Sequence, residues 1–364
     1  MVQYIFIFGR DPDLSYLELK TFLKSKEYNF EIKDVNEFGA VVNFESNINA
    51  KNIVKSLGGI VKIAEVLNLD QVELYEGKKN RIYYGVSSYF ADDEDVKEYL
   101  KKRLKKEKFK AMLKSSKKNE PFLTPSESLN IVNQGFEVVL FGDKVGIVRA
   151  VYNPNEYKER DNLRPRQRPL HTISIRLAKI LINLAGLKKG ETLLDPFCGI
   201  GVLLQEAMLL NLNVVGIDKD QKCVNDALIN LKWLAKKYKL NTKYKVVKGD
   251  STNITKYVKK VDGVATEPYI GPFLKKLPTE QKAKEILNQL KPMYEQLLKG
   301  LAKVVKGKIV IIVPRFRLYN NKRVKMNFMR IVKQNGFKAS KPIVYVAVKS
   351  KIEREIWVLE REER

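Results

Sequence analysis

Residues 193–208 read LLDPFCGIGVLLQEAM. An apolar strand delivers Asp195, a turn holds Gly199 and Gly201, and a helix follows at once. In an open parallel sheet, ligands sit at the carboxyl ends of the strands, where the strand order reverses. A glycine turn there lets backbone approach a ligand closely, because no Cβ intervenes. Such a turn is common in α/β proteins and specifies little alone. The dinucleotide fingerprint G-x-G-x-x-G is not met, since Leu204 stands where the third glycine belongs, which counts against a nucleotide-dependent dehydrogenase.

Three further strand ends follow in order. VVGIDKD (214–220) ends a strand in Asp218, where an acid accepts hydrogen bonds from ribose hydroxyls. KVVKGDST (245–252) ends another in Asp250 and Ser251, suited to an adenine amino group, although a helix N-cap would use Asp250 equally well. VATEPYIGP (264–272) ends a fourth in Glu-Pro-Tyr. From Ser174 onward, long helical patterns such as ISIRLAKILINLAGL alternate with short apolar strands, which predicts βαβ units and a parallel, doubly wound sheet. KIVIIVPRF, PIVYVAVK and REIWVLER break that alternation, and the last two are expected to pair as a hairpin at the end of the sheet. Arg315 and Arg317, after the first of these, fall on the expected site face as candidate substrate contacts.

Ahead of this half, VQYIFIF, FEIKDV and GAVVNFE read as strands. Ser15 and Glu18 stand at capping-box spacing, so a helix should start at Ser15. DDEDVKEYLKKRLKKEKFKAMLKSS (92–116) reads as one helix with acids in its first turn and bases after. Positions 97–118 carry eleven Lys or Arg against two Glu, a basic face beside an apolar stripe. FEVVLFGDKVGIVRAVY gives two strands joined at Gly142–Asp143. Residues 153–169, NPNEYKERDNLRPRQRP, hold almost no apolar side chains and read as a linker, in which Arg164, Arg166 and Arg168 form an extended basic strip able to follow phosphates.

Composition narrows the classes. The chain has 364 residues, 68 Lys plus Arg against 42 Asp plus Glu, and a net charge of +26. That excess suits a polyanion through counterion release. No run of about 18 apolar residues exists, so no membrane-spanning helix is expected, and the N-terminus lacks the features of a signal peptide. Two cysteines, Cys198 and Cys223, form no disulfide framework, and with His171 as the single histidine no metal site is expected. A reducing, cytoplasmic setting follows. His171 is expected to serve packing near the first catalytic-domain helix.

DPFCGIG, GIDKD, GDST and EPY, in this order, resemble the S-adenosylmethionine-dependent methyltransferases that modify amino groups. FIFGRDPDLSYLELKTFL, LGGIVKIAEVL, and ERDNLRPRQRP followed by IRLAKILINLAG are similar to the tRNA guanosine-10 N2-methyltransferase family. The resemblance implies an α/β chain: a ferredoxin-like domain over 1–70, a THUMP-like RNA-binding domain over 71–152, the linker 153–169, and a Rossmann-like methyltransferase domain over 170–364. It implies S-adenosylmethionine as cofactor, with Asp195, Cys198, Gly199 and Gly201 around its methionine portion, Asp218 on the ribose, and Asp250 with Ser251 at the adenine. It implies tRNA as partner and N2-methylguanosine as product. Acceptors in rRNA or DNA, and a non-catalytic RNA-binding protein of the same fold, stand as alternatives.

In the family, Asp or Asn followed by Pro-Pro-Tyr binds the target amine. Here the residues are Thr266, Glu267, Pro268 and Tyr269. Thr266 falls on the motif's first position, and the acid comes one place later. A one-residue shift along extended backbone turns a side chain to the other face. Either Glu267 reaches the amine through its extra methylene and a local bend, or Thr266 Oγ and a main-chain carbonyl do so.

Overall fold

The computed structural model describes residues 1–75, 77–168, 173–347 and 350–362. Two compact units divide near residue 162: Met1–Leu23 with Glu27–Asn162, and Lys24–Lys26 with Leu163–Arg364.

The first unit runs β1 (Val2–Phe8), α1 (Pro12–Ser25), β2 (Phe30–Val35), β3 (Gly39–Phe44), α2 (Ala50–Ser56), β4 (Ile60–Val66), β5 (Arg81–Tyr89), α3 (Glu94–Lys106), β6 (Lys110–Leu113), α4 (Pro125–Val132), β7 (Gly135–Phe141) and β8 (Lys144–Val151), and α5 (Pro154–Leu163) follows at the division between the units. Its eight strands form one sheet in the order β2-β3-β1-β4-β8-β7-β5-β6. The first four, antiparallel with β1 flanked by β3 and β4, are a ferredoxin-like split βαβ arrangement. β4 then pairs antiparallel with β8, so the segments expected as separate domains on either side of residue 70 contribute to one sheet.

Three local expectations change here. α1 starts at Pro12, not Ser15; the Ser15 hydroxyl donates to Asp11 O and Gly59 O, while Glu18 accepts from the Gly58 and Gly59 amides at 2.8 and 2.6 Å. The two residues therefore fasten the helix to the turn before β4 instead of capping it. The long basic helix ends at Lys106, because Lys108 adopts φ +62° and the chain reverses into β6, parallel to β5. Part of the expected linker is the helix α5, whose Tyr157 and Arg160 are buried.

Inside this sheet lies a polar cluster. Lys62 Nζ on β4 meets Glu137 Oε1 on β7 at 2.6 Å, the Leu123 carbonyl at 2.9 Å and Ser87 Oγ on β5 at 3.3 Å. Lys62 and Glu137 are 1% and 0% exposed. Ser87 also donates to Glu137 Oε1, and Glu137 Oε2 has no partner.

The second unit runs α6 (Ile175–Leu184), β9 (Thr192–Asp195), α7 (Val202–Leu209), β10 (Asn213–Asp218), α8 (Gln221–Tyr238), β11 (Tyr244–Lys248), β12 (Gly263–Thr266), α9 (Glu280–Val304), β13 (Ile309–Arg317), β14 (Arg323–Lys325), α10 (Phe328–Gln334), β15 (Phe337–Ala339), β16 (Ile343–Tyr345) and β17 (Ile352–Arg361). The sheet order is β11-β10-β9-β12-β13-β17-β15, parallel from β11 to β13. β12 and the first six residues of β13 are buried at every position, so both faces of the sheet are covered. The chain steps outward from β9 to β11 and returns to β12, which puts the reversal between β9 and β12. β17 runs antiparallel between β13 and β15, and the expected hairpin with the preceding strand is present as the short pair β16–β17. Among the described residues, no helix is long and apolar enough to cross a membrane.

Candidate active site

The turn after β9 lies at the strand-order reversal. Gly199 and Gly201 have φ of +51° and +82°, left-handed values that favour glycine, and a Cβ on Gly199 would meet nothing within 4 Å. Open space above a glycine whose amide is already anchored is a cradle for a ligand. Asp195 is buried, and its Oδ1 accepts from the Phe197 amide at 3.1 Å and from Thr266 Oγ1 at 2.7 Å. Burial raises its carboxyl from the ordinary 3.8 to about 7; the two hydrogen bonds oppose that rise, and the charges of Asp218 and Glu267 add to it.

Asp218, at the end of β10, accepts from the Gly199 amide through Oδ2 and from the Asp220 amide through Oδ1, both at 2.9 Å. It thereby ties the neighbouring strand end to the glycine turn. Cys198 sits behind the turn, its thiol pushed well up by burial, and a Cβ at Gly216 would fall 2.9 Å from its sulfur. Its small size fits that tight space. Asp250 caps the short helix Ser251–Lys256, accepting from the Thr252 amide and hydroxyl, and these bonds hold its carboxyl below the ordinary range. Ser251 is buried and donates to Pro196 O on the glycine turn.

Thr266 is fully buried, with its hydroxyl committed to Asp195. Glu267, the next residue, lines the cleft together with Ile173, Asp195, Phe197, Gly199 and Leu203, around about 400 Å³ of open space. Of the two, Glu267 is the side chain that lines the cleft, while Thr266 is buried behind it with its hydroxyl hydrogen given to Asp195. Glu267 Oε1 lies 2.5 Å from Nε of Arg354 on β17, with the two side chains 18% and 19% exposed. Pro268 is buried and Tyr269 is 57% exposed.

Arg354 carries no sequence signal: it stands 87 positions from Glu267 in an ordinary charged strand. Its neighbours Glu353 and Glu355 point to the other face. There Arg315 meets Glu353 at 2.6 Å, so Arg315 is tied down while Arg317 stays exposed. The basic strip before the unit is also occupied. Arg164 is buried and donates to Gln205. Arg166 and Arg168 both face Asp226, and Arg168 also faces Asp220. The Asn230 amide accepts from Arg166 N at 2.9 Å and donates to Arg166 O at 3.1 Å and Ile200 O at 3.0 Å, joining the strip to the glycine turn. His171 lies outside the described residues. Among those described, no three His, Cys, Asp or Glu side chains group as metal ligands.

A parallel sheet whose reversal point holds a glycine turn, with acids on the next strand ends, is a Rossmann-like arrangement. The family model described as RMKL-like, methyltransferase domain, matches residues 162–338, and a DNA methylase model matches 61–229. Parts of the chain are similar to tRNA (guanine(10)-N2)-dimethyltransferases. The tRNA (guanine(10)-N2)-dimethyltransferase of Methanothermobacter thermautotrophicus is 34% identical over 138 residues, covering 36% of this chain and 38% of that protein. The probable counterpart from Methanothermococcus thermolithotrophicus is 42% identical over 102 residues, 26% of this chain and 60% of its own length. These matches span less than two thirds of either relative. The Methanocaldococcus jannaschii tRNA (guanine(10)-N2)-dimethyltransferase is 26% identical over 86% of this chain and 92% of its own. The crystal structure of TrmN from Thermus thermophilus shares the fold, with a TM-score of 0.54 at 14% identity over 99% of this chain and 100% of its own.

Proposed function

We propose that the protein is a cytoplasmic, S-adenosylmethionine-dependent methyltransferase acting on the exocyclic N2 amine of a guanosine in tRNA. The observation that carries this reading is Glu267: a carboxylate at the cleft, beside the glycine turn, with one oxygen held by Arg354 and an exposed aromatic ring two residues on. The names of the relatives support the tRNA acceptor. The basic helix α3 supports residues 71–152 as the THUMP-like, RNA-binding part of the first unit.

The cleft fits the cofactor. Asp195 is suited to an ammonium group, the Gly199 and Gly201 backbone leaves room for a methionine chain, and Asp218 and Asp250 offer acceptors at successive strand ends for ribose and adenine. Cys198 and Ser251 shape and brace that turn. When bound, S-adenosylmethionine supplies an electrophilic methyl on a sulfonium, so direct displacement needs positioning more than acid or base strength. Guanine N2 is a weak nucleophile because its lone pair is delocalised into the ring. Glu267 Oε2, which has no hydrogen bond to Arg354, accepts an N2 hydrogen and serves as base for the proton that leaves. Pro268 fixes the backbone after Glu267. Tyr269 offers a stacking face to a base taken out of its helix.

Purified protein, radiolabelled S-adenosylmethionine and an unmodified tRNA transcript, followed by nucleoside mass analysis, test the reading, with rRNA fragments and DNA as rival acceptors. Methylguanosine on tRNA, lost in Glu267→Ala and Tyr269→Ala, is the expected outcome. Methyl transfer only to rRNA or DNA, or cofactor binding without transfer, would overturn it.

A further inference from the structure

Two loops beside the cleft share a composition that the reaction does not require. The segment 269–279, YIGPFLKKLPT, follows Tyr269, and the segment 315–325, RFRLYNNKRVK, joins β13 to β14; neither contains an acid. They are neighbours in the second unit. A Cβ at Gly271 would fall 3.1 Å from Ile286 of α9, 3.6 Å from the Phe316 ring and 3.9 Å from Ile352, so the first loop runs over the carboxyl end of β13. β14 packs against α9, which begins directly after that loop.

Phe273 is 80% exposed and Tyr319 63% exposed, and with Tyr269 they make three of the five exposed aromatic side chains among the described residues. Single exposed rings need no explanation, but three on two neighbouring loops with an excess of positive charge do. Arg315, Arg323 and Lys325 are engaged with the buried acids Glu353 and Glu355. Lys275, Lys276 and Arg317 are exposed and form no ion pair among the described residues, and Lys322, also exposed, feels the Glu280 carboxylate at the start of α9 without pairing to it within 4 Å. Exposed rings with excess positive charge around them are the two components of a surface for unpaired nucleotides: π-faces on which bases stack, and charges that follow the phosphates. A base-paired A-form helix buries the base faces that such rings need.

We infer that Phe273 and Tyr319, with Lys275, Lys276, Arg317 and Lys322, form a docking face for the single-stranded RNA that flanks the nucleotide presented to Glu267. The inference rests on the reading of the site as an RNA base methyltransferase and adds to it the form in which the RNA is held. The strand is opened around the target on the protein, and the rings hold it unpaired while Tyr269 meets the target base.

Binding of the full chain to a labelled ten-nucleotide single-stranded RNA, and to a hairpin duplex of the same composition, tests this without methyl transfer. Phe273→Ala and Tyr319→Ala should each weaken single-strand binding by about tenfold, the range of one lost base–aromatic stack, with duplex binding nearly unchanged. Lys275→Gln with Lys276→Gln should reduce the slope of log affinity against log salt by about 1.4, two phosphate contacts on a single strand. Calorimetry with S-adenosylmethionine serves as the folding control, since neither ring belongs to the cofactor cleft. Ring variants that bind as the parent does, equal losses on duplex, or a preference for single-stranded DNA over RNA would overturn the inference. Ring-dependent RNA binding without any methyl transfer to tRNA would instead sustain the face and overturn the proposed reaction.

Discussion

Each of the two sheets carries an ion pair between strands far apart in sequence, but the pairs sit at different places along their strands. Lys62–Glu137 lies within strands of the first sheet, sealed from water and closed by Ser87 and the Leu123 carbonyl. Glu267–Arg354 lies just past the end of β12, with each side chain about one fifth exposed and only Oε1 of the carboxylate hydrogen-bonded to the arginine. A charge in mid-strand meets only fixed neighbours, so its chemistry is spent on the fold. A charge at a strand end has one side braced and one side open, which is the condition for acting on something else.

That contrast is testable, beginning with its largest effect. Lys62→Met strands the Glu137 carboxylate in the first sheet and should destabilise the protein by about 3–5 kcal/mol in urea unfolding, whereas Lys62→Met with Glu137→Leu should recover most of the loss. A double variant as unstable as the single one would mean that the pair itself, and not the stranded charge, matters. Arg354→Gln should leave the unfolding midpoint almost in place. It should lower kcat for methyl transfer by about 100-fold, the scale of a misplaced reacting group, with cofactor affinity unchanged and partial rescue by Arg354→Lys.

Asp195 sharpens the contrast through pH. Its carboxyl is raised from 3.8 to about 7, so its contribution to stability without cofactor is fully present below the ordinary value and is lost as pH rises through about 7. Melting temperature should fall across that window, and Asp195→Asn should flatten the fall. Cofactor affinity should run the other way. A cation favours the ionised carboxyl, so affinity by calorimetry should rise by up to about tenfold per pH unit towards 7 and level off above it. The smallest effect belongs to Thr266→Val. Loss of its hydrogen bond to Asp195 should cost about 1 kcal/mol and shift the midpoint of the cofactor pH profile upward, because that bond opposes the rise.

Much of this was legible locally. Asp195 and Asp218 end short apolar strands, Gly199 and Gly201 fall in the turn after the first, Asp250 falls two residues past a third, and a strand end is written in adjacent residues. The helix-cap use of Asp250 was also within reach of local reasoning, whereas the bond from the Gly199 amide to Asp218 joins residues 19 positions apart on neighbouring strands. The Thr266–Glu267 register was not. The alternation argument is sound, but it cannot say which of two adjacent residues faces the cleft until Asp195, on the neighbouring strand, takes the threonine hydroxyl. Arg354 was beyond reach because its partner is set by β17 inserting beside β13. The reversal at Lys108 has no glycine or proline to announce it. The arginine strip reads as free charge because Asp220 and Asp226, which face it, lie on a helix more than fifty positions later.

The strip has a practical consequence for dissection of the molecule. Asn230 makes two of its three hydrogen bonds to the backbone of Arg166 and the third to Ile200 in the glycine turn. An excision of the catalytic half that began at residue 170 would remove the former two, and with them the partners of Gln205 and Asp226, from beneath the loop the cofactor needs. A cut that keeps these contacts falls ahead of Arg164, so the stretch that looks like a tether is the foundation of the half it leads into.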